Sequence, residues 1–224
     1  MRYISRSLKA VILLSGGIDS TTTLYLAKKY GYKLSALIFD YNQRHRKEIF
    51  SAVKIARLNN IVYHIVKVHL PWTVSALTQK NIKVPFKRNL YSKNIPLTYV
   101  SGRNIIFLSY AASFAESTGA KKIFIGAHTE DYSGYPDCKP QFFSAIERAI
   151  NLGISKKGIE IIAPLIDKSK KSIIKLGYKL GVPFEYTWSC YMGGRFPCRK
   201  CDSCRFRIKA FESIGLEDPL LRRK

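Results

Sequence analysis

Two short stretches of this chain carry residue types at spacings that chemistry uses. The first is Leu14-Ser15-Gly16-Gly17-Ile18-Asp19-Ser20, which joins an apolar run to a segment of helical period. Adjacent glycines let the backbone approach a ligand and take positive φ, and the free N–H groups where a helix starts attract an anion. Ser15 and Ser20 add hydroxyls aimed at the same point. Asp19 suits an anion site when a divalent cation bridges it to a phosphate, which points to magnesium. A plain βα turn with a serine cap is the alternative for any short Gly-Gly string, but the full string argues against it.

The second stretch is Cys190-x7-Cys198-x2-Cys201-x2-Cys204. Four thiolates close a tetrahedral zinc site and leave no open position, so the expected metal is structural. Gly193, Gly194 and Pro197 let the intervening loop bend. A four-iron cluster also uses Cys-x-x-Cys-x-x-Cys and is the competing metal. Arg199, Lys200 and Arg205 flank the cysteines and could offset the charge of a tetrathiolate. Cys138 is expected to pack in a loop rather than ligate.

Other candidates follow apolar runs. Phe39-Asp40-Tyr41-Asn42-Gln43-Arg44-His45 lies where an open α/β sheet binds ligands, and could recognise adenosine or begin a solvated helix. Arg103, in Ser101-Gly102-Arg103-Asn104, could hold a phosphate or carboxylate bidentately or lie on the surface. Residues 128–138 hold the acids Glu130, Asp131 and Asp137. These could bind magnesium or the amino edge of a purine-like base, or merely form turns.

The elements that must position these groups alternate between β-rich runs and helical period. Strands are expected at 10–14, 33–39, 61–68, 121–127 and 158–163, and helices at 20–30, 48–58, 104–117, 142–152 and from Ser169 to 180. Successive βαβ units of this kind predict an α/β fold: a five-stranded parallel sheet with helices on both faces. Residues 70–102 hold no period, carry three prolines, and read as a long functional or mobile segment. A composition shift near Pro183 divides the chain into an α/β domain, 1–183, and a cysteine-rich appendage, 184–224.

The chain has 224 residues, enough to bury roughly 70% of its unfolded surface. Its 38 Lys and Arg outnumber 15 Asp and Glu, a net +23 against the ordinary ~2 to 8 for a small domain. A polyanionic partner is the first implication. The apolar run near the N-terminus is too short for a secretory leader, and no stretch approaches the roughly 18 apolar residues of a membrane span. A soluble cytoplasmic protein is expected, where clustered cysteines favour metal over disulfides.

The string 15–20 resembles the SGGxDS loop of the ATP-pyrophosphatase superfamily, whose members cut ATP between its α and β phosphates to adenylate an oxygen. Combined with residues 39–45, Gly102-Arg103-Asn104, Asp131-Tyr132-Ser133-Gly134-Tyr135-Pro136-Asp137-Cys138 and the four cysteines, the chain closely resembles the 7-cyano-7-deazaguanine synthase (QueC) family over nearly its whole length. Arg44-His45 and residues 133–137 are the discriminating strings. Ser101 stands where the family often has proline, and Leu14 where phenylalanine is common.

The resemblance implies conversion of 7-carboxy-7-deazaguanine and ammonia to the nitrile, with two ATP consumed in successive adenylations through an amide. It implies catalytic roles for Ser15, Asp19, Ser20 and Arg103. Nucleotide and magnesium contacts are expected along Leu14, Ser15, Gly16, Gly17, Ile18, Asp19, Ser20, Thr21, Thr22, Thr23 and Leu24, with Asp40 and Arg44. Asp131, Tyr135 and Asp137 are the expected deazaguanine contacts, and Cys190, Cys198, Cys201 and Cys204 the zinc ligands. A homodimer is the expected assembly. Contact with nucleic acid is allowed by the charge but not required by the reaction, since ATP and a carboxylate are themselves anions. The rival readings are a tRNA-modifying enzyme of the same superfamily and a non-catalytic zinc-bound nucleic-acid module.

Overall fold

The computed structural model describes residues 8–86, 94–129 and 135–222. Five parallel strands form one sheet in the order β3-β2-β1-β4-β5: β1 (Lys9–Leu13), β2 (Lys33–Asp40), β3 (Val62–Lys67), β4 (Lys122–Phe124) and β5 (Glu160–Ile162). The registers Ile12↔Ala36 and Ile12↔Phe124 place β1 at the centre. Alternation along β1 divides the core: Val11 and Leu13 point to one layer, Ala10 and Ile12 to the other. The first layer is covered by α3 (Arg103–Thr118) and α4 (Pro140–Gly153), through Phe107, Leu108, Ala111 and Phe143. The second is covered by α1 (Ile18–Lys29) and α2 (Lys47–Leu58), through Leu24, Ala27, Ile49 and Ile55. Each of these four helices joins two parallel strands by crossing a face, as parallel pairing demands.

Chain order runs β1 to β3 outward on one side, then returns to β4 on the other. The crevice beyond the carboxyl ends of β1 and β4 is therefore the topological switch point, where open α/β sheets take ligands.

β4 and β5 are shorter than the apolar runs 121–127 and 158–163 predict. Ile125 N–H still donates to Ile162 O at 3.0 Å, but the chain then swings toward the start of α1. Gly126 passes so close there that a Cβ would sit 2.6 Å from Ser20 N. The Ser169 cap behaves as its type predicts, its hydroxyl accepting from Ser172 N–H at the start of α5 (Lys170–Lys179).

The tail holds a helix that composition concealed, α6 (Asp202–Glu212), which begins directly after Cys201. Its Ala210 and Phe211 pack with Ile173, Ile174 and Phe184. Arg207 of α6 is fully enclosed and bidentate to Asp218, at 2.6 and 2.8 Å. Its guanidinium also donates to Thr187 Oγ1 and Phe184 O. These bonds fix residues 184–189 against the tail. The aperiodic segment after β3 is partly packed too: Ala76 and Val84 share a cluster with Cys190, Cys201 and Cys204.

Candidate active site and metal centre

The loop after β1 turns at Gly16, whose φ is +78°. A Cβ there would meet Ala52 N and Glu48 O, each at 2.5 Å, so the turn is pressed against the first half of α2. Gly16→Ala is expected to lower stability by about 2–3 kcal/mol through strain at positive φ and this clash. A melting curve within a degree of wild type would refute the tight packing.

Beyond that turn, Ser15 Oγ and Ser20 Oγ lie 2.9 Å apart, and Ser20 Oγ accepts from Ser15 N–H. Asp19, in the first turn of α1, faces two groups from distant elements. Lys170 Nζ donates to both carboxylate oxygens at 2.9 Å, and His128 Nε2 stands 3.5 Å away. Burial alone would raise the Asp19 carboxyl, but these two partners hold it far below the usual carboxylate range. Lys170 sits in the first turn of α5, where the helix field disfavours a cation, and its pairing with Asp19 offsets that cost.

These groups open into a cavity of about 270 Å³. Its walls include Leu14, Ser15, Gly17, Ile18, Asp19 and Ser20 at one end, and Tyr41, Glu48, Arg103 and Tyr135 elsewhere. Arg103 Nη1 lies 3.5 Å from Tyr41 Oη, with its guanidinium 5.8 Å from that ring's centre. Tyr41, Tyr135 and Arg103 thereby keep an aromatic and cationic surface at the crevice. Tyr135 Oη shares a 3.1 Å hydrogen bond with Thr98, and burial pushes its hydroxyl up to about 12.

The other expected contacts fall elsewhere. Thr21 and Thr22 bond back to Gly17 O and Ile18 O, and Thr21, Thr22, Thr23 and Leu24 are fully enclosed within the fold. Asp40 pairs with Arg46 at 3.1 Å on the surface. Arg44 gives its guanidinium to the carbonyls of Ala76, Gln79, Lys80 and Ile82, tying down the aperiodic segment. Asp137 accepts from Asn104 N–H and so anchors the start of α3. Asp131 lies outside the described residues.

Four groups in or beside the cavity escaped the sequence reading: Glu48, His128, Lys170 and Trp188. Trp188 N–H donates to Gly16 O at 2.9 Å, so the residues before the first tail cysteine clamp the turn at 16. Trp188 Nε1 and His45 Nε2 both reach Cys190 O, at 2.9 and 2.8 Å. Gly193 lies flat on the His45 ring, where a Cβ would come within 2.3 Å.

The cysteine sulfurs of 190, 198, 201 and 204 all lie within 4.8 Å of one another. Backbone N–H groups of Met192 and Cys198 point at Cys190 Sγ, and those of Lys200 and Cys201 at Cys198 Sγ, at 3.3–3.4 Å. Such donors stabilise sulfur that carries negative charge. The thiols also share protons unevenly: donation from Cys201 and Cys204 holds Cys190 far below the ordinary thiol range, while Cys201 is pushed up. The cluster is built to hold a thiophilic cation. Cys138 is not among these residues. It lines the cavity, and burial pushes its thiol up to about 12.

A parallel sheet open at its switch point, a glycine turn with converging hydroxyls and cations, and a four-thiol knot together define a nucleotide-handling α/β enzyme with a metal-binding tail. The family described as "Queuosine biosynthesis protein QueC" matches residues 9–215, and the chain belongs to it. It is 50% identical over 222 residues to the 7-cyano-7-deazaguanine synthase of Nostoc sp., covering 95% of this chain and 96% of that one. Its identity to the synthase of Clostridium kluyveri is 51% over 219 residues, covering 95% and 96%. For the synthase of Thermoplasma acidophilum it is 49% over 217 residues, covering 95% and 91%. The fold is also similar to NMN synthetase from Francisella tularensis, with a TM-score of 0.52 at 16% identity, covering 95% of this chain and 79% of that one. No helix among the described residues is long and apolar enough to cross a membrane.

Proposed function

We propose that the chain is an ATP-dependent ligase that builds 7-cyano-7-deazaguanine from 7-carboxy-7-deazaguanine and ammonia. The observation that carries this reading, beside family membership, is one cavity holding both the phosphate-type turn at 15–20 and the Arg103, Tyr41 and Tyr135 surface. A carboxylate is a poor electrophile, and transfer of AMP to its oxygen installs a leaving group. Ammonia then displaces AMP to give the amide. A second AMP transfer, to the amide oxygen, lets C–O cleavage leave a C≡N bond.

Both transfers need the same thing, an oxygen in line with the α-phosphate while the departing diphosphate is held. Ser15, Ser20 and the N–H groups entering α1 would hold the phosphates, with Lys170 and His128 supplying positive charge. Magnesium beside Asp19 would shield the phosphate charge when bound. Since Lys170 donates to both Asp19 oxygens, the arriving phosphates would have to draw Lys170 away to free that carboxylate. Arg103 would fix the substrate carboxylate bidentately, and Tyr135 would stack on the deazapurine. Asp131 is retained as a contact to the base's amino edge. Asp137, by contrast, would act through α3, whose first residue is Arg103.

Zinc suits the four sulfurs, with a structural role, in a region of residues 184–224 packed on the α/β unit of residues 1–183. A homodimer in the cytoplasm is the proposed working form. The test is mass spectrometry of the product after incubation with 7-carboxy-7-deazaguanine, ammonium, ATP and magnesium. A nitrile with two AMP per turnover is the expected result. AMP formation that depends on tRNA instead would overturn the reading.

A further inference from the structure

Among the described residues that line the cavity, only two are carboxylates, Asp19 and Glu48. Asp19 is saturated by Lys170 and His128. Glu48, in the first turn of α2, is partly buried, lines the cavity and has no hydrogen-bond donor among the described residues. Its own carbonyl touches the turn at Gly16, which sets the side chain beside the place where phosphate chemistry is proposed. Arg103 lies opposite, near enough to draw the carboxyl down, and Glu48 in turn raises the Tyr41 hydroxyl.

A partly buried carboxylate without a protein donor is free to take one from a ligand in the cavity. The cavity's other proton-bearing groups do not suit the task of a base. His128 Nε2 is engaged with Lys170 at 3.0 Å, and burial keeps the Tyr135 hydroxyl and Cys138 thiol protonated.

The reaction proposed above demands a base at one atom. The nitrogen begins as ammonium and loses one proton to become a nucleophile. It loses a second as the C–N bond forms and AMP departs. It loses a third as the amide oxygen bonds the second AMP and nitrogen becomes doubly bonded to carbon. The fourth leaves as the C–O bond breaks, releasing AMP and the nitrile. We propose that the Glu48 carboxylate is the catalytic base that accepts these protons in turn and passes each to solvent before the next. It would also hold the incoming ammonium beside the carboxylate carbon that Arg103 fixes. Burial pushes its carboxyl up to about 7 despite the Arg103 charge, which suits a group that takes and returns protons near neutrality.

This inference rests on the nitrile-forming reading. Its test compares two nucleophiles, ammonium and hydroxylamine, the second largely unprotonated near neutrality and so in need of only one proton transfer, the one that accompanies C–N bond formation. In Glu48→Gln, nitrile formation from ammonium should fall at least about 100-fold. Hydroxamate formation with hydroxylamine, which leaves one proton transfer to the base where the nitrile needs four, should fall far less than nitrile formation, and ammonia-free diphosphate exchange should stay within about threefold of wild type. Glu48→Asp should recover part of the ammonium reaction. A merely structural role would depress both nucleophiles together, and that result overturns the proposal, as does full ammonium activity in Glu48→Gln. A wild-type protein that makes neither nitrile nor hydroxamate overturns the parent reading and the base with it.

Discussion

Asp19→Ala is expected to release diphosphate at least about 100-fold more slowly than wild type when supplied with 7-carboxy-7-deazaguanine, ammonium and ATP. That is the loss seen when one preorganised group is removed from a charge-stabilising site. The geometry explains the size. Asp19 is where three distant elements converge, the first turn of α1, the chain after β4 and the first turn of α5. Without it, Lys170 and His128 lose their shared acceptor, and the magnesium proposed beside it has no carboxylate. Stability should fall by about 1–3 kcal/mol, the worth of hydrogen bonds to a partly enclosed charge. Diphosphate release and the melting curve read the two effects separately. Turnover within a few-fold of wild type would sink the role given to residues 15–20.

Cys201→Ser should strip the tail of its metal. Metal analysis of purified protein is expected to give about one zinc per wild-type chain and a small fraction of that in the variant. Structural zinc contributes roughly 10–16 kcal/mol in small folds. Losing a third of that, at about 2–4 °C per kcal/mol for a chain this size, lowers the melting temperature by about 7–20 °C. The loss should spread to the active site, because the segment between the α/β unit and the sulfurs also clamps Gly16 through Trp188. Unchanged metal content and melting would refute the four-sulfur site, and iron in place of zinc would revise the metal alone.

The sheet and its helices could be read in advance because their residues obey one period each. Buried runs such as 36–39 are continuous and apolar, and α2 repeats Ile49, Ala52 and Ala56 on one face. Two local strings held most of the chemistry, since Gly16 and the four cysteines are defined by near neighbours in sequence. What stayed hidden was convergence from afar. Lys170 and His128 reach Asp19 only once β4 and β5 are paired, and nothing near either residue announces it. One signal was available: a lysine in the first turn of a helix opposes the helix field. Proximity to a motif also misled. Thr21, Thr22 and Thr23 follow the turn directly, yet are buried in the fold. Arg44 stands in a discriminating string but spends its donors on carbonyls of residues 76–82. The helix α6 escaped notice because cysteine spacing dominated the reading of a segment that Ala210 and Phe211 nevertheless bury.

The bond from Trp188 to Gly16 also fixes an order of events during synthesis. β1 and its turn leave the ribosome well before Trp188, and a contact spanning that much sequence forms late. A nascent chain can pair β1 with β2, and β2 with β3, well before the Trp188 clamp on its turn is available. Metal capture by the cysteines that follow Trp188 would then be a late step of maturation. A cell short of that metal would accumulate chains whose sheet is complete and whose first-made loop is still loose.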